Sequence, residues 1–397
     1  MTAPYRPYIL WLPSWYPSGL EPYNGDFIKR QAAALSLIKE VQVLYIIRDK
    51  TGTITKDVLT ERFSPGPLNE IIIYYYSLST GISFVDKFLS ARKYRRLYEE
   101  AVKEMIEMRG KPSLAHVQVG MKAGVIAQWL KRRYAVPYVV TEHWSGFLAE
   151  AEEKFSELPF YFRRLWTRII KNAAGIAAVS GYLCSALIKT LSLSSCKVIP
   201  NVVDRNIFRL SDIPASGQKR FIHISGLAPL KNPKIILEAF AKVLAIFPDA
   251  KLEIFGYLGQ DFQKIIGKMH MQHSVSIYPE VPQQVLAEAL RRSEALILYS
   301  SYETFGCVII EANASGIPVI VSDIPVFHET VKENVNGIFA GNNDPVTLSK
   351  KMIALIRNEV TFDKKAIADL AIQKYSYEAV GRQISEWYEK ILTGKSF

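Results

Sequence analysis

One pattern constrains this chain more than any other: short β-rich runs alternate with amphipathic helical stretches, and the alternation occurs twice. The first series is "YILWL" (8–12), "VQVLYII" (41–47), "LAHVQV" (114–119), "PYVVTEH" (137–143) and "GIAAVS" (175–180). Segments such as "GDFIKRQAAALSLIK" and "KAGVIAQWLKRR" separate these runs, with apolar residues at helical spacing. Strands that alternate with helices imply a parallel sheet covered on both faces. After a turn-rich stretch at 197–219 the alternation restarts through "RFIHISG" (220–226), "AKLEIFG" (250–256), "SVSIYPEV" (274–281), "ALILYSS" (295–301) and "IPVIVSD" (317–323). The expected fold is α/β, with two Rossmann-like doubly wound domains and an interdomain cleft. The boundaries are expected at 1–205 and 206–374. Residues 375–397 read as a closing helix that packs back toward the N-terminal domain, with Tyr377, Val380, Ile384, Trp387, Tyr388 and Ile391 on one face. In such folds ligands sit outside the carboxyl ends of the strands, so the loops there are the places to look.

Composition narrows the class. At 397 residues, 49% hydrophobic and 22% charged, the chain exceeds one ordinary core and is neither disordered nor fibrous. Forty-nine Lys and Arg against 38 Asp and Glu give a formal charge of +11, which favours anionic partners without choosing among them. The three cysteines, Cys184, Cys196 and Cys307, are odd in number and form no Cys-x-x-Cys, so neither a disulfide framework nor a zinc site is indicated, and a reducing compartment fits. The apolar core of "MTAPYRPYILWLPSWYP" is short and bracketed by prolines. No run approaches the roughly 18 apolar residues of a spanning helix. The expected location is cytoplasmic, at most lying on a membrane.

The chemistry concentrates at strand ends. In "ALILYSSYETFGCVIIEANASG" a buried strand leads through a polar loop to a helix beginning near Phe305 or Gly306. Glu303 stands just ahead of that helix start, whose free N–H groups also suit a phosphate or hydroxyl. Glu311, eight positions on, projects from an apolar helix face, where ribose hydroxyls would satisfy it. A capping acid and a solvated surface acid are the plainer alternatives. Lys231 precedes a helix opened by Asn232 and Pro233 and can meet a diphosphate as a point charge. Gly25 sits in a loop feeding a helix, without a Walker or Gly-x-Gly-x-x-Gly pattern. His143 ends a strand, where a structural histidine bonded to a backbone carbonyl is the plainer reading. His270 and His273 could share a helix face, but no further ligand cluster accompanies them.

Taken together these segments resemble glycosyltransferase family 4, the retaining, nucleotide-sugar-dependent enzymes of the GT-B fold. The strongest match is "ETFGCVIIEANASGIPVIVSD", similar to the family's E-x7-E segment and its Gly-x-Pro-Val turn. Five more fall in order along the chain: "YNGDFIKRQAAAL", "TEHWSGF", "IPNVVDRNIF", "SGLAPLKNPKIILEAF" and "NGIFAGNND". The resemblance implies that Glu303 and the backbone of Thr304, Phe305 and Gly306 hold the donor sugar and phosphates, and that Glu311 holds the ribose. It assigns Lys231 to the diphosphate leaving group, Gly25 to the same group from the opposite domain, and His143 to the sugar near the transferred carbon. By the same resemblance Ser225 and Gly226 are expected in the donor site, as is Asn201. No cofactor or metal is expected, since fixed dipoles and Lys231 stabilise the departing diphosphate.

Two positions depart from the family. Ser225, Gly226 and Leu227 stand where it usually carries Gly-Arg-Leu, so one diphosphate cation is missing unless Arg220 or Lys29 compensates. Val202 stands where a glycine is common. The implied activity is retaining transfer of a sugar from a nucleoside diphosphate to a glycan or lipid-linked acceptor in cell-surface polysaccharide assembly. A nucleotide-sugar epimerase of similar fold and a catalytically silent sugar-nucleotide-binding subunit are the alternatives. Basic, aromatic segments at 91–100, 130–134 and 162–171 suggest peripheral contact with anionic lipid, and nucleic acid is not an expected partner.

Overall fold

A computed structural model describes residues 7–64, 66–77, 80–210, 219–226, 228–256 and 261–394. The chain divides into two compact units, Met1–Val202 with Tyr377–Phe397, and Val203–Ser376.

In the first unit the strands are β1 (Tyr8–Pro13), β2 (Glu40–Asp49), β3 (Val58–Phe63), β4 (Leu68–Tyr76), β5 (Leu114–Gln118), β6 (Tyr138–Glu142), β7 (Gly175–Ala178) and β8 (Lys197–Val198). Its helices are α1 (Asp26–Ser36), α2 (Ser83–Arg109), α3 (Ala123–Tyr134), α4 (Phe160–Lys171) and α5 (Gly181–Leu191). The sheet order is β3-β4-β2-β1-β5-β6-β7-β8, parallel except for the β3–β4 pair. Every residue of β1, β5 and β6 is buried, as expected of parallel strands covered on both faces. The antiparallel β3–β4 hairpin at the edge escaped the sequence reading, because "LNEIIIYYY" is buried along most of its length and lacks the alternation of a half-exposed strand.

The second unit contains β9 (Arg220–Ile224), α6 (Pro233–Leu244), β10 (Lys251–Phe255), α7 (Asp261–Lys268), β11 (Val275–Tyr278), α8 (Gln283–Arg291) and β12 (Ala295–Leu298). It continues with α9 (Cys307–Ala314), β13 (Val319–Val321), β14 (Gly337–Phe339), α10 (Pro345–Ile356) and α11 (Lys364–Tyr375). All six strands are parallel in the order β11-β10-β9-β12-β13-β14, the doubly wound arrangement whose order reverses between β9 and β12.

The closing helix α12 (Tyr377–Thr393) belongs to the first unit and buries Val380, Ile384, Trp387 and Tyr388. It packs on α1. Gly381 permits the approach, since a Cβ there would stand 2.3 Å from the Ala34 carbonyl oxygen.

Two expectations are corrected. Cys184 on α5 forms a disulfide with Cys196, at a Cα–Cα distance of 5.5 Å. The chain turns back after α5 to lay β8 beside β7, so two cysteines twelve residues apart meet without a Cys-x-x-Cys. The cysteine count therefore gives no argument for a reducing compartment. His270 lies beyond the end of α7 in the left-handed region, at φ 55°, so it does not share a helix face with His273.

Candidate functional site

In the second unit the site residues gather at the reversal between β9 and β12. After β9 the chain makes a short 3-10 turn, Pro229–Lys231, and Asn232 then opens α6 in the left-handed region. The Asn232 amide donates to the Tyr299 carbonyl (3.2 Å) and to Ser301 Oγ (3.0 Å), and the Ser301 N–H donates to the Leu230 carbonyl (2.7 Å). These bonds join the loops after β9 and β12. Lys231 and Glu303 consequently form an ion pair, with both side chains mostly buried at 20% and 15% exposure. Ser300 Oγ donates to the same carboxylate oxygen at 3.0 Å, and Ser322 Oγ donates to the Ser300 carbonyl at 2.6 Å.

Gly306 caps α9 at φ 87°, a conformation that a residue with a Cβ adopts only at a cost. Among the described residues, none accepts from the N–H groups of Thr304, Phe305 or Gly306. Open backbone donors at the mouth of a helix are an arrangement that can bind an anion. Glu311 lies in the next turn of α9 and is 5% exposed.

Ser225 and Gly226 follow β9. His223 on that strand is fully buried, and its Nδ1–H donates to the Ile297 carbonyl (2.8 Å). Its Nε2 is then an acceptor for the Ser225 hydroxyl at 2.6 Å. Burial, then the nearby Lys231 charge, holds the His223 pKa down at about 4, so it stays neutral. Among the described residues a Cβ on Gly226 would meet only the Gly256 carbonyl oxygen, at 3.8 Å, so none of them requires glycine there. The expected compensating cations are placed otherwise. Arg220 stands at the opposite end of β9 and pairs with Glu253 at 2.5 Å, while Lys29 pairs with the buried Glu70 at 3.0 Å. Leu227 lies outside the described residues.

The first unit carries the other site residues. Gly25 caps α1 at φ 71°, and a Cβ there would stand 2.6 Å from the Trp15 carbonyl group, so the loop after β1 closes over a position only glycine can fill. Asn201 is buried, 3.4 Å from the Gln31 amide nitrogen, which also donates to the Pro200 carbonyl at 3.0 Å. His143 follows β6 and is 5% exposed. The expected backbone carbonyl partner is replaced by a side chain, as His143 Nε2 lies 2.7 Å from Gln118 Oε1. Burial lowers its pKa to about 3. Glu142 beside it is fully buried, and it accepts from the N–H groups of Gly120, His143 and Trp144 and from Trp166 Nε1, at 3.1–3.3 Å. Burial raises its pKa, partly offset by these donors.

Ser300, His223 and Gln118 were missed by the sequence reading. The available signal was a polar residue at the carboxyl end of an otherwise apolar strand, in "FIHIS", "AHVQ" and "LYSS". No group of three His, Cys, Asp or Glu side chains among the described residues is placed to hold a metal ion.

Comparison with known proteins matches this layout. Residues 205–379 match the family model described as glycosyl transferases group 1, and residues 55–206 match glycosyltransferase family 4. The chain belongs to glycosyltransferase family 4. A curated family 4 relative, the phosphatidyl-myo-inositol mannosyltransferase of Mycobacterium leprae, is 27% identical over 170 residues. That stretch covers 42% of this chain and spans under half, 45%, of the relative. Among solved structures, sucrose-phosphate synthase from Thermosynechococcus elongatus superposes with a TM-score of 0.74 at 17% identity, covering 98% of this chain and all of that one. HepE from Anabaena, in complex with UDP and glucose, superposes at 0.70 and 18% identity, over 97% and 99%. These likenesses establish the GT-B fold.

Proposed function

We propose that this glycosyltransferase retains anomeric configuration and moves a hexosyl or related sugar from a nucleoside diphosphate to a glycan or lipid-linked acceptor, without a metal ion, in cell-surface polysaccharide assembly. One observation carries the donor half of the reading: Lys231 is held by Glu303, and next to Glu303 in the chain stand three N–H groups at the mouth of α9 that no described residue claims. As the bond between the sugar carbon and the diphosphate oxygen breaks, its electron pair leaves with the diphosphate. Lys231 and the α9 donors meet the growing charge more strongly than they meet the ground state. The acceptor oxygen attacks the face the diphosphate vacates, and its proton passes to the departing phosphate oxygen. Glu303 holds sugar hydroxyls, Glu311 the ribose, and Ser225 and Gly226 line the phosphates. Gly25, Asn201 and His143 belong to the same reaction, with His143 accepting from the transferred sugar.

Thermal-shift screening with UDP, GDP, ADP and their sugars identifies the nucleotide, and a coupled assay then reads acceptor-dependent nucleotide release. Release that needs acceptor supports transfer, whereas an isomeric nucleotide sugar formed without acceptor would make the chain an epimerase. Binding without either product would make it a silent subunit.

Peripheral contact with anionic lipid at the cytoplasmic face is part of the same proposal. The start of α2 exposes Phe84 (80%) and Phe88 (60%), and Arg92, Lys93 and Arg96 one to three turns on line a cavity of about 380 Å³. On α4, Phe160 and Tyr161 are exposed and Trp166, Ile169 and Ile170 are buried, so this helix packs on its own unit through one face. Among the described residues no helix is long and apolar enough to cross a membrane. Co-sedimentation with phosphatidylglycerol vesicles, lost in pure phosphatidylcholine and in a Phe84→Ser, Phe88→Ser variant, tests this contact.

A further inference from the structure

His143 ends a chain of buried side chains that starts on the closing helix. Its Nε2 faces Gln118 Oε1 at 2.7 Å, and the Gln118 amide nitrogen faces His116 Nε2 at 3.2 Å. Thr141 Oγ1 also contacts His116 Nε2, at 2.7 Å, and His116 Nδ1 contacts the Tyr388 hydroxyl of α12. Gln118, His116, Thr141 and Tyr388 are each at most 1% exposed, so no solvent competes for these bonds.

The polarity of such a chain follows from its members. An amide oxygen accepts only, so His143 carries its proton on Nε2. The amide N–H donates only, so His116 Nε2 is bare and its proton sits on Nδ1, donating to the Tyr388 oxygen. His143 Nδ1 is therefore a bare lone pair, buried, and among the described residues nothing pairs with it. We propose that Tyr388 is a positioning residue for the transfer reaction: acting through His116 and Gln118, it sets the tautomer of His143 and leaves Nδ1 as an acceptor for a hydroxyl of the donor sugar. Burial keeps both imidazoles neutral, which the chain requires, because a cationic histidine has no acceptor to offer.

Removing the Tyr388 oxygen strands a buried N–H on His116. The cheapest remedy moves the His116 proton to Nε2, where Thr141 Oγ1 accepts it. Gln118 must then turn its amide over, and the His143 proton moves to Nδ1. Tyr388→Phe thus converts the sugar-facing acceptor into a donor without altering any residue at the site.

The kinetic arm rests on the reading of His143 as a sugar contact; the spectroscopic arm does not. Nitrogen-15 spectra of histidine-labelled full-length protein resolve six imidazoles. In the resting protein His143 is expected as the Nε2–H tautomer and His116 as Nδ1–H; any other pairing overturns the proposal. In Tyr388→Phe the His143 proton is expected on Nδ1, with kcat down about tenfold, donor KM within about twofold and melting temperature close to wild type. An unmoved proton in a folded variant overturns it. In a Gln118→Glu background the carboxylate accepts from both histidines, so adding Tyr388→Phe is expected to change neither the His143 tautomer nor kcat. An additive loss there would reduce Tyr388 to a packing role. If His143→Ala transfers at the wild-type rate, the sugar contact fails while the spectra still decide the chain.

Discussion

The two units place polar groups at the carboxyl ends of buried strands, and they do so by opposite means. In the second unit the key contact is ionic: Lys231 against Glu303, with open N–H groups beside it. In the first unit the corresponding chain is neutral, running from Tyr388 through His116 and Gln118 to His143. The difference fits the proposed substrates. A leaving diphosphate gains charge and needs a cation, whereas a sugar hydroxyl needs only one oriented lone pair, which a buried charge would oversolvate at a large desolvation cost.

The comparison breaks most readily at Lys231. Lys231→Ala is expected to lower kcat/KM about 10²–10³-fold, close to the cost of losing one oriented donor to a developing anion, and steady-state assays at saturating acceptor check it. The effect should shrink with added salt far less than a surface ion pair would, because both partners are mostly buried.

Acid should separate the units next. His116, His143 and His223 are neutral in the fold because burial depresses their pKa values, to about 3 for His143 and about 4 for His223. Below about pH 6.5 the unfolded chain binds protons that the native chain does not, so this stability is fully present above that pH and falls as pH drops toward the folded values. Between pH 7 and 5.5 each histidine costs on the order of 1 kcal/mol, so the first unit, with two, should lose about twice as much as the second. Hydrogen exchange of β5 and β6 amides against β9 amides at the two pH values measures the ratio. Equal losses would contradict the placement of two neutral histidines in one unit.

A structural substitution sharpens the contrast. Gly381→Ala forces α12 away from the Ala34 carbonyl and should cost about 2 kcal/mol by overpacking. It should also disturb the Tyr388–His116 contact while leaving nucleotide binding intact, as read by chemical denaturation and by calorimetry. The smallest effect is expected at Gly226, where the described residues leave room for a side chain. Gly226→Arg should tighten nucleoside diphosphate binding by about 1 kcal/mol, roughly fivefold, by supplying the cation that the family usually carries there. Unchanged affinity would mean that the diphosphate lies elsewhere.

Much of the fold was legible in the sequence, because buried parallel strands and amphipathic helices differ in period and length. The β3–β4 hairpin was not, since the apolar β4 is buried along most of its length and gives no alternation to count. Glu303 and Lys231 were legible as polar residues next to a helix start, and Glu311 as an acid on an apolar helix face; their roles stay proposals. The Lys231–Glu303 pair was not, because it depends on Asn232 and Ser301 joining loops from strands far apart in sequence. His143 was legible as a strand-end histidine, but its partner was misread. A side-chain amide on the neighbouring strand and a tyrosine 245 residues later cannot be paired from spacing, only from the register that sets β5 beside β6 and the seat of α12. The Cys184–Cys196 disulfide was hidden in the same way by the return of the chain from α5 to β8.

The most direct test of the central claim is calorimetric titration of the full chain with UDP, GDP and ADP, repeated on Lys231→Ala and Tyr388→Phe. The account predicts binding of at least one nucleotide, weakened about tenfold or more in Lys231→Ala and unchanged within about twofold in Tyr388→Phe. Binding that survives Lys231→Ala, or that falls equally in both variants, would contradict a donor site built by charge in one unit and a sugar contact set by neutral dipoles in the other.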